Sequence, residues 1–273
     1  MQNYATPVRL DSKEMARLIE ENLSAKSMDF AKLDGGKLHT GNPAWFMSGL
    51  KRSGYNGITQ AQFNQNQIDE QVENCLEPFR QTATPLTWWV GPQSEPASLG
   101  RTLQSHGFTH NRDMIGMAAQ LDSLTELIQP ALDYSFEPVL DRAGLNQWMP
   151  LFMETFGMPS SDAPLISDIF AQLSFSLDTE WRHYFIQSHG QLLATSSLHL
   201  GGGVAGLYNI ATRPEYRQHG LGTAITLLTF EQARRWGYTL GTLQTTYPNA
   251  LRLYHKIGFE VYCKIGVYQR TWQ

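Results

Sequence analysis

Apolar positions recur at helical spacing from the start of the chain. Met15, Leu18, Ile19 and Leu23 form one stripe, Asp11 or Ser12 can cap it, and Glu14 falls in its first turn. Ile68–Arg80 repeats the pattern with Ile68, Val72, Cys75 and Leu76 on one side, and Ser98–His106 predicts a shorter helix. Between them Leu86–Val90 is a short apolar strand, and Phe108–Leu121 is strand material. Gly35-Gly36 and Gly41-Asn42-Pro43 are turns, while the Gln- and Asn-rich stretch from Tyr55 to Asn66 carries no assignable period.

The later pattern is stronger. Tyr134–Leu140 predicts a strand, Ala143–Phe156 a helix, and a break at Met158–Pro164 leads to a helix reaching Leu177. Trp181–Gln187 and Gln191–Leu200 form a hairpin around His189-Gly190, and Val204–Ala211 a strand after the Gly201–Gly203 loop. Gly220–Trp236 is a helix with Leu221, Ala224, Ile225, Leu228 and Trp236 on one face and Gly237 at its C-terminal stop. Leu240–Thr246, Asn249–Ile257 and Glu260–Thr271 complete the chain as strand, short helix and closing strands.

Two stretches repeat. Leu103-Gln104-Ser105-His106-Gly107-Phe108, followed by Met114-Ile115-Gly116-Met117, matches Tyr254-His255-Lys256-Ile257-Gly258-Phe259, followed by Lys264-Ile265-Gly266-Val267. An internal duplication is expected, with its boundary near Thr125–Asp133. Length agrees: 273 residues are close to two domains at about 150 residues each. The expected domains are 1–130 and 131–273.

Composition narrows the function classes. Hydrophobic residues at 41% exclude a disordered chain, and 21 basic against 25 acidic residues, net −4, argue against a nucleic-acid groove. No apolar run approaches the ~18 residues of a membrane span. The opening Met-Gln-Asn-Tyr-Ala-Thr-Pro lacks a signal-peptide layout. Cys75 and Cys263 match no redox or metal spacing. A cytoplasmic setting is expected, without nucleic-acid or membrane partners and as a monomer or homodimer. No His/Asp/Glu cluster has metal-ligand spacing, so no metal is expected.

The chemistry concentrates in Tyr208–Thr223, a strand, a Gly-containing loop and a helix start. Free amides at such a start carry partial positive charge and can hold a phosphate. Gly220 and Gly222 allow close backbone approach, and Arg217 adds a full charge. A dinucleotide fingerprint fails because its third glycine is Ile225 and the next strand lacks an acidic ribose ligand. A Walker loop fails for want of Gly-Lys-Ser/Thr.

Arg217-Gln218-His219-Gly220-Leu221-Gly222 resembles the Arg/Gln-x-x-Gly-x-Gly/Ala signature of the GNAT superfamily of acyl-CoA-dependent N-acyltransferases. Leu253-Tyr254-His255-Lys256-Ile257-Gly258-Phe259 is similar to that family's Leu-Tyr-x-Lys-x-Gly-Phe segment. The resemblance covers Tyr134–Gln273. It implies a mixed α/β (α+β) fold of two units, each a mostly antiparallel twisted sheet flanked by helices, the first unit degenerate. It also implies transfer of an acetyl group from acetyl-CoA to a primary amine, on a small molecule or peptide, by direct attack on the thioester. Pyrophosphate is then expected on Arg217, Gln218, His219, Gly220, Leu221, Gly222 and Thr223, and pantetheine beside Ile210, Ala211 and Thr212. An N–H near Ile210 would stabilise the oxyanion, and Tyr254 would be the general acid.

Departures from the family pattern matter. The Asn found seven residues before the tyrosine in many members is Tyr247 here, and Asn249 either contacts the cofactor or caps the short helix. Leu103 replaces the tyrosine in the first half, which is expected to bind no acyl-CoA and to wall one side of the acceptor pocket. Glu154 is the candidate base, against a solvated helix face. His199 reads as a satisfied strand histidine, His219 as exposed, and Trp88, Trp89, Trp148 and Trp181 as core. The alternative function is a non-catalytic acyl-CoA-binding regulatory module.

Overall fold

The computed structural model describes residues 11–127, 129–175 and 179–272. Eleven strands form one sheet: β1 Lys37–His39, β2 Ala44–Met47, β3 Gly57–Thr59, β4 Leu86–Val90, β5 Thr109–Gln120, β6 Ser135–Pro138, β7 Trp181–Ser188, β8 Gln191–Gly201, β9 Val204–Thr212, β10 Leu240–Thr245 and β11 Glu260–Arg270. The helices are α1 Ser12–Met28, α2 Ile68–Gln81, α3 Leu99–Ser105, α4 Arg142–Thr155, α5 Ala163–Ser174, α6 Leu221–Arg235 and α7 Pro248–Ile257. The α/β class follows the sequence expectation. β1 and β2 lie where the sequence showed only turns, β3 lies in the unassigned polar stretch, and the final segment is a single strand. The expected helix to Leu177 ends at Ser174, and Leu177 lies outside the described residues.

The strand order is β1-β2-β3-β4-β11-β5-β10-β9-β8-β7-β6. Each half's last strand therefore crosses into the other half: β11 pairs with β4, and β5 pairs with β10. The central β5–β11 ladder is symmetric about Met114–Ile265. Thr109–Gln269 mirrors Ala118–Glu260, and His110–Tyr268 mirrors Met117–Val261, with equivalent residues 151 positions apart. The skipped residues, Asn111 and Tyr262, obey the same shift. Gly107-Phe108 and Gly258-Phe259 agree with it, but the Ile-Gly match of the sequence repeat is one residue out of register. Ile115 packs with Leu207 and Phe259 on one side of the sheet, whereas Ile265 is buried with Ile19 and Trp89 on the other. In a pleated strand a slip of one reverses the face.

A two-fold axis normal to the sheet keeps each layer on its own side. One face carries α6 and α7 over Leu207 and Leu243, and α2 and α3 over Trp88. The other carries α4 and α5 over Phe185. On that second face α1 lies across the middle of the sheet, and Met15, Ile19 and Leu23 pack with Ala118, Val204 and Ile265 from both halves. The four tryptophans are core: Trp88 and Trp148 are fully buried, Trp89 and Trp181 nearly so.

Candidate functional site

β9 and β10 run parallel and pair from Ala205–Gly241 to Leu207–Leu243, then part. The cause is a bulge. Asn209 adopts φ +54°, a region Asn tolerates better than most residues. It is held there by Nδ2 donating to Ser197 Oγ at 2.9 Å and by its carbonyl accepting from Thr195 Oγ1 at 3.2 Å. Beyond it Arg213 N–H donates to Leu193 O at 2.8 Å. The alternation of an antiparallel ladder then turns the backbone groups of Ala211 and Arg213 toward β8, and those of Ile210 and Thr212 into the gap. Among the described residues no backbone group pairs with that edge.

The gap leads to the signature loop. Gln218 and Gly220 have φ of +65° and +81°, and α6 begins after Gly220 with no side-chain cap, so its first amides are uncommitted. Residues 217–220 are exposed, while Leu221 is buried beside Ala224 and Ile225 and anchors the turn. The loop is braced internally. Arg217 Nε donates to Thr212 O at 3.2 Å, and His219 Nδ1 donates to Arg217 O at 2.8 Å. A Cβ on Gly222 would lie 3.3 Å from Leu253 and 3.8 Å from the Thr212 hydroxyl, filling the space between α6 and α7. An open strand edge, an uncapped helix start and a cradle kept clear by glycine together fit the pantetheine and pyrophosphate of an acyl-CoA.

Tyr254, on α7, is buried in the cluster that contains Leu207 and Leu243, the last ladder pair. Burial raises its phenol above the usual range, so it keeps its proton at neutral pH, and its hydroxyl makes no hydrogen bond among the described residues. Asn249 is not the cap of α7. Tyr247 holds that position and Pro248 opens the helix, so Asn249 falls in the first turn and is exposed. Glu154 is exposed in a groove of about 680 Å³ between α4 and α5, lined by Met149, Met153 and Met158. No residue of the β9–β10 gap lines that groove. His199 is fully buried, its Nε2 2.9 Å from Asp29 Oδ2, which also accepts from Trp181 Nε1 at 2.9 Å. Lys32 Nζ holds the other oxygen at 2.7 Å, so Asp29, hydrogen-bonded to His199 and Trp181, is a tie between the halves.

The first half repeats this site in closed form. β3 and β4 also part after two pairs, Gly57–Thr87 and Ile58–Trp88, and Gln60 repeats the φ of +54°. But Glu95 N donates to Ala61 O at 2.8 Å and Phe63 N donates to Glu95 O at 2.9 Å. Counting from Gln60 and Asn209, Ala61 and Phe63 correspond to Ile210 and Thr212, so the chain's own backbone occupies the edge left free on β9. The first turn of α2 carries Asp69 and Glu70 where α6 has Gly222 and Thr223, and these acids complement the helix dipole and repel phosphate. Leu103 stands for Tyr254 and is fully buried.

One group of residues had no signal in the chain's periodicity. Past Leu207 and Leu243 the next residues are Tyr208 and Gln244, which face α1. Tyr208 Oη donates to Asn22 Oδ1 at 2.6 Å, and the Lys26 ammonium lies 5.4 Å from the Tyr208 ring centroid. Asn22, Lys26 and Glu20 sit among the polar positions of an amphipathic helix, which from sequence alone read as its solvent face. Polar side chains at Tyr208 and Gln244, each directly after a buried leucine, were the available clue.

Residues 145–259 match the model of the acetyltransferase (GNAT) family. Among solved structures the chain is similar to a GCN5-related N-acetyltransferase from Kribbella flavida, with TM-score 0.74, 16% identity, and coverage of 95% of this chain and 96% of that one. It is similar to one from Sphaerobacter thermophilus at TM-score 0.64, 18% identity and 97% and 94% coverage. A tandem GNAT protein from the clavulanic acid biosynthesis pathway gives TM-score 0.62, 13% identity and 95% and 94% coverage. No curated protein matches the sequence.

Proposed function

From the premise that the second half of this chain belongs to the GNAT acetyltransferase family, we propose that it transfers an acyl group, acetyl first, from acyl-CoA to an amine by direct attack. One observation carries this: no backbone pairs with the edge of Ile210 and Thr212 among the described residues and the start of α6 carries no acid, whereas in the first half Glu95 fills the matching edge and Asp69 and Glu70 stand at the start of α2. Arg217–Thr223 would hold pyrophosphate, Ile210 and Thr212 would pair with pantetheine, and Asn249 lies free at the near end of α7. Acyl-CoA supplies the thioester and a thiol leaving group. Tyr254, protonated and on the α7 side of the gap, gives its proton to the departing thiolate as the N–C bond forms and the C–S bond breaks. The amine enters from the α1 side and releases its proton to water. The half-buried thiols of Cys75 and Cys263, both pushed up to about 12 by desolvation, stay protonated and suit a reducing cytoplasm.

Calorimetry with acetyl-CoA tests the site. The expected stoichiometry is one per chain. Thr223→Glu copies Glu70 of the closed half into the first turn of α6, where an acid favours the helix. It should weaken acetyl-CoA binding at least tenfold without lowering the melting temperature; unchanged affinity rejects the assignment. A second reading, a non-catalytic acyl-CoA-binding module, draws on Glu154 lying away from the gap. Tight acetyl-CoA binding with no thiol release to any amine selects it.

A further inference from the structure

The α1 side of the gap holds a cation without a counter-ion among the described residues. Lys26 lies in the last turn of α1 with its ammonium over two rings, 5.5 Å from the Phe30 centroid and 5.4 Å from that of Tyr208. No carboxylate pairs with it among the described residues. The nearest, Asp29, has its oxygens taken by Lys32, Trp181 and His199. Burial outweighs the distant pull of Asp29 and lowers the Lys26 pKa to about 8, which still leaves it mainly charged at neutral pH. Beside it the Gln244 side chain hydrogen-bonds the Tyr208 oxygen, whose O–H is given to Asn22 at 2.6 Å. A half-buried cation with no counter-charge is costly.

Lys26 has no counter-ion among the described residues, lies against the first side chain past the last β9–β10 pair, and faces the side from which the amine enters. We propose that the acceptor carries a carboxylate close to its amine, and that Lys26 binds this carboxylate. The proposal rests on the acyl-transfer reading and sharpens its substrate class. It also makes the N-terminal half a contributor to specificity: a polyamine would meet a like charge at Lys26, whereas an amino acid would neutralise it. Lys26 is a specificity residue, since it meets the far end of the acceptor and not the reacting nitrogen.

The test uses the full chain, acetyl-CoA and thiol release, with L-amino acids, their methyl esters and spermidine as acceptors. The expected result is a kcat/KM at least tenfold higher for an amino acid than for its ester. Lys26→Met, which keeps the aliphatic stem, should raise KM for the acid tenfold or more, with kcat and the ester reaction within twofold of wild type. Lys26→Arg should retain the preference. Equal use of acid and ester, or an unchanged KM in Lys26→Met, overturns the proposal while leaving acyl transfer intact. If no amine reacts, acyl transfer fails and N-acetylglycine is titrated into the CoA-saturated protein. Binding lost in Lys26→Met then still supports the carboxylate site, and no binding, or equal binding in both, overturns it.

Discussion

The Tyr208 hydroxyl donates to Asn22 Oδ1 at 2.6 Å, joining the strand that borders the β9–β10 gap to a helix from the other half of the chain. Asn22 Nδ2 in turn donates to the carbonyls of Gly201 at 2.7 Å and His199 at 3.2 Å. A Cβ on Gly206 would collide with the Asn22 amide, so the side chain sits directly on the β8–β9 hairpin. One buried amide thereby fixes α1, the hairpin and Tyr208 relative to each other.

Replacing it should be costly. Asn22→Leu fills a similar volume but strands two carbonyls and a hydroxyl, and should lower stability by about 2–4 kcal/mol in urea unfolding. Tyr208→Phe, which leaves Asn22 Oδ1 and the Gln244 amide unmatched, should cost less, about 1–2 kcal/mol. Equal effects would place the tie elsewhere.

Glu20, 2% exposed, receives only the Gln93 N–H, at 2.7 Å, and its Oε1 has no partner. Burial raises its carboxyl from 4.5 to about 7. The folded chain keeps this proton up to about pH 7 while the unfolded chain loses it near 4.5, so stability falls as pH rises between those values. Glu20→Gln cannot titrate. It should match wild type near pH 4 and exceed it by on the order of 2–3 kcal/mol above pH 7, measured as denaturant midpoints across pH.

Tyr254→Phe should lower kcat by about tenfold to a hundredfold, because a thiol of pKa about 8.5 leaves without strict need of an acid. Acetyl-CoA affinity should stay within about twofold. A turnover equal to wild type would take Tyr254 out of the proton transfer.

The exchange of β5 and β11 ties the halves together. Calorimetry should give one unfolding transition with equal calorimetric and van't Hoff enthalpies, despite the duplication. Two resolved transitions would show that each half holds its core without the other's last strand. A chain cut at residue 130 should yield no folded fragment, since β11 would lose β4 and β10 would lose β5.

The loop from Arg217 to Thr223, the helix after it and the segment around Tyr254 are local, and their residues specify them through a left-handed glycine, an apolar stripe and a glycine stop. Core aromatics and the helical and strand periods were legible for the same reason: each depends on neighbours along the chain. The rest was settled by distant contacts. Which strand lies beside β5 depends on residues 151 positions away, and the slipped Ile-Gly match shows that short identity cannot fix a register that burial fixes. Glu95 closes the first half through its backbone N–H and C=O, which every residue but proline carries, so no sequence pattern announces it. The polar stripe of α1 became a buried wall only because the folded chain laid that helix across the other half's sheet.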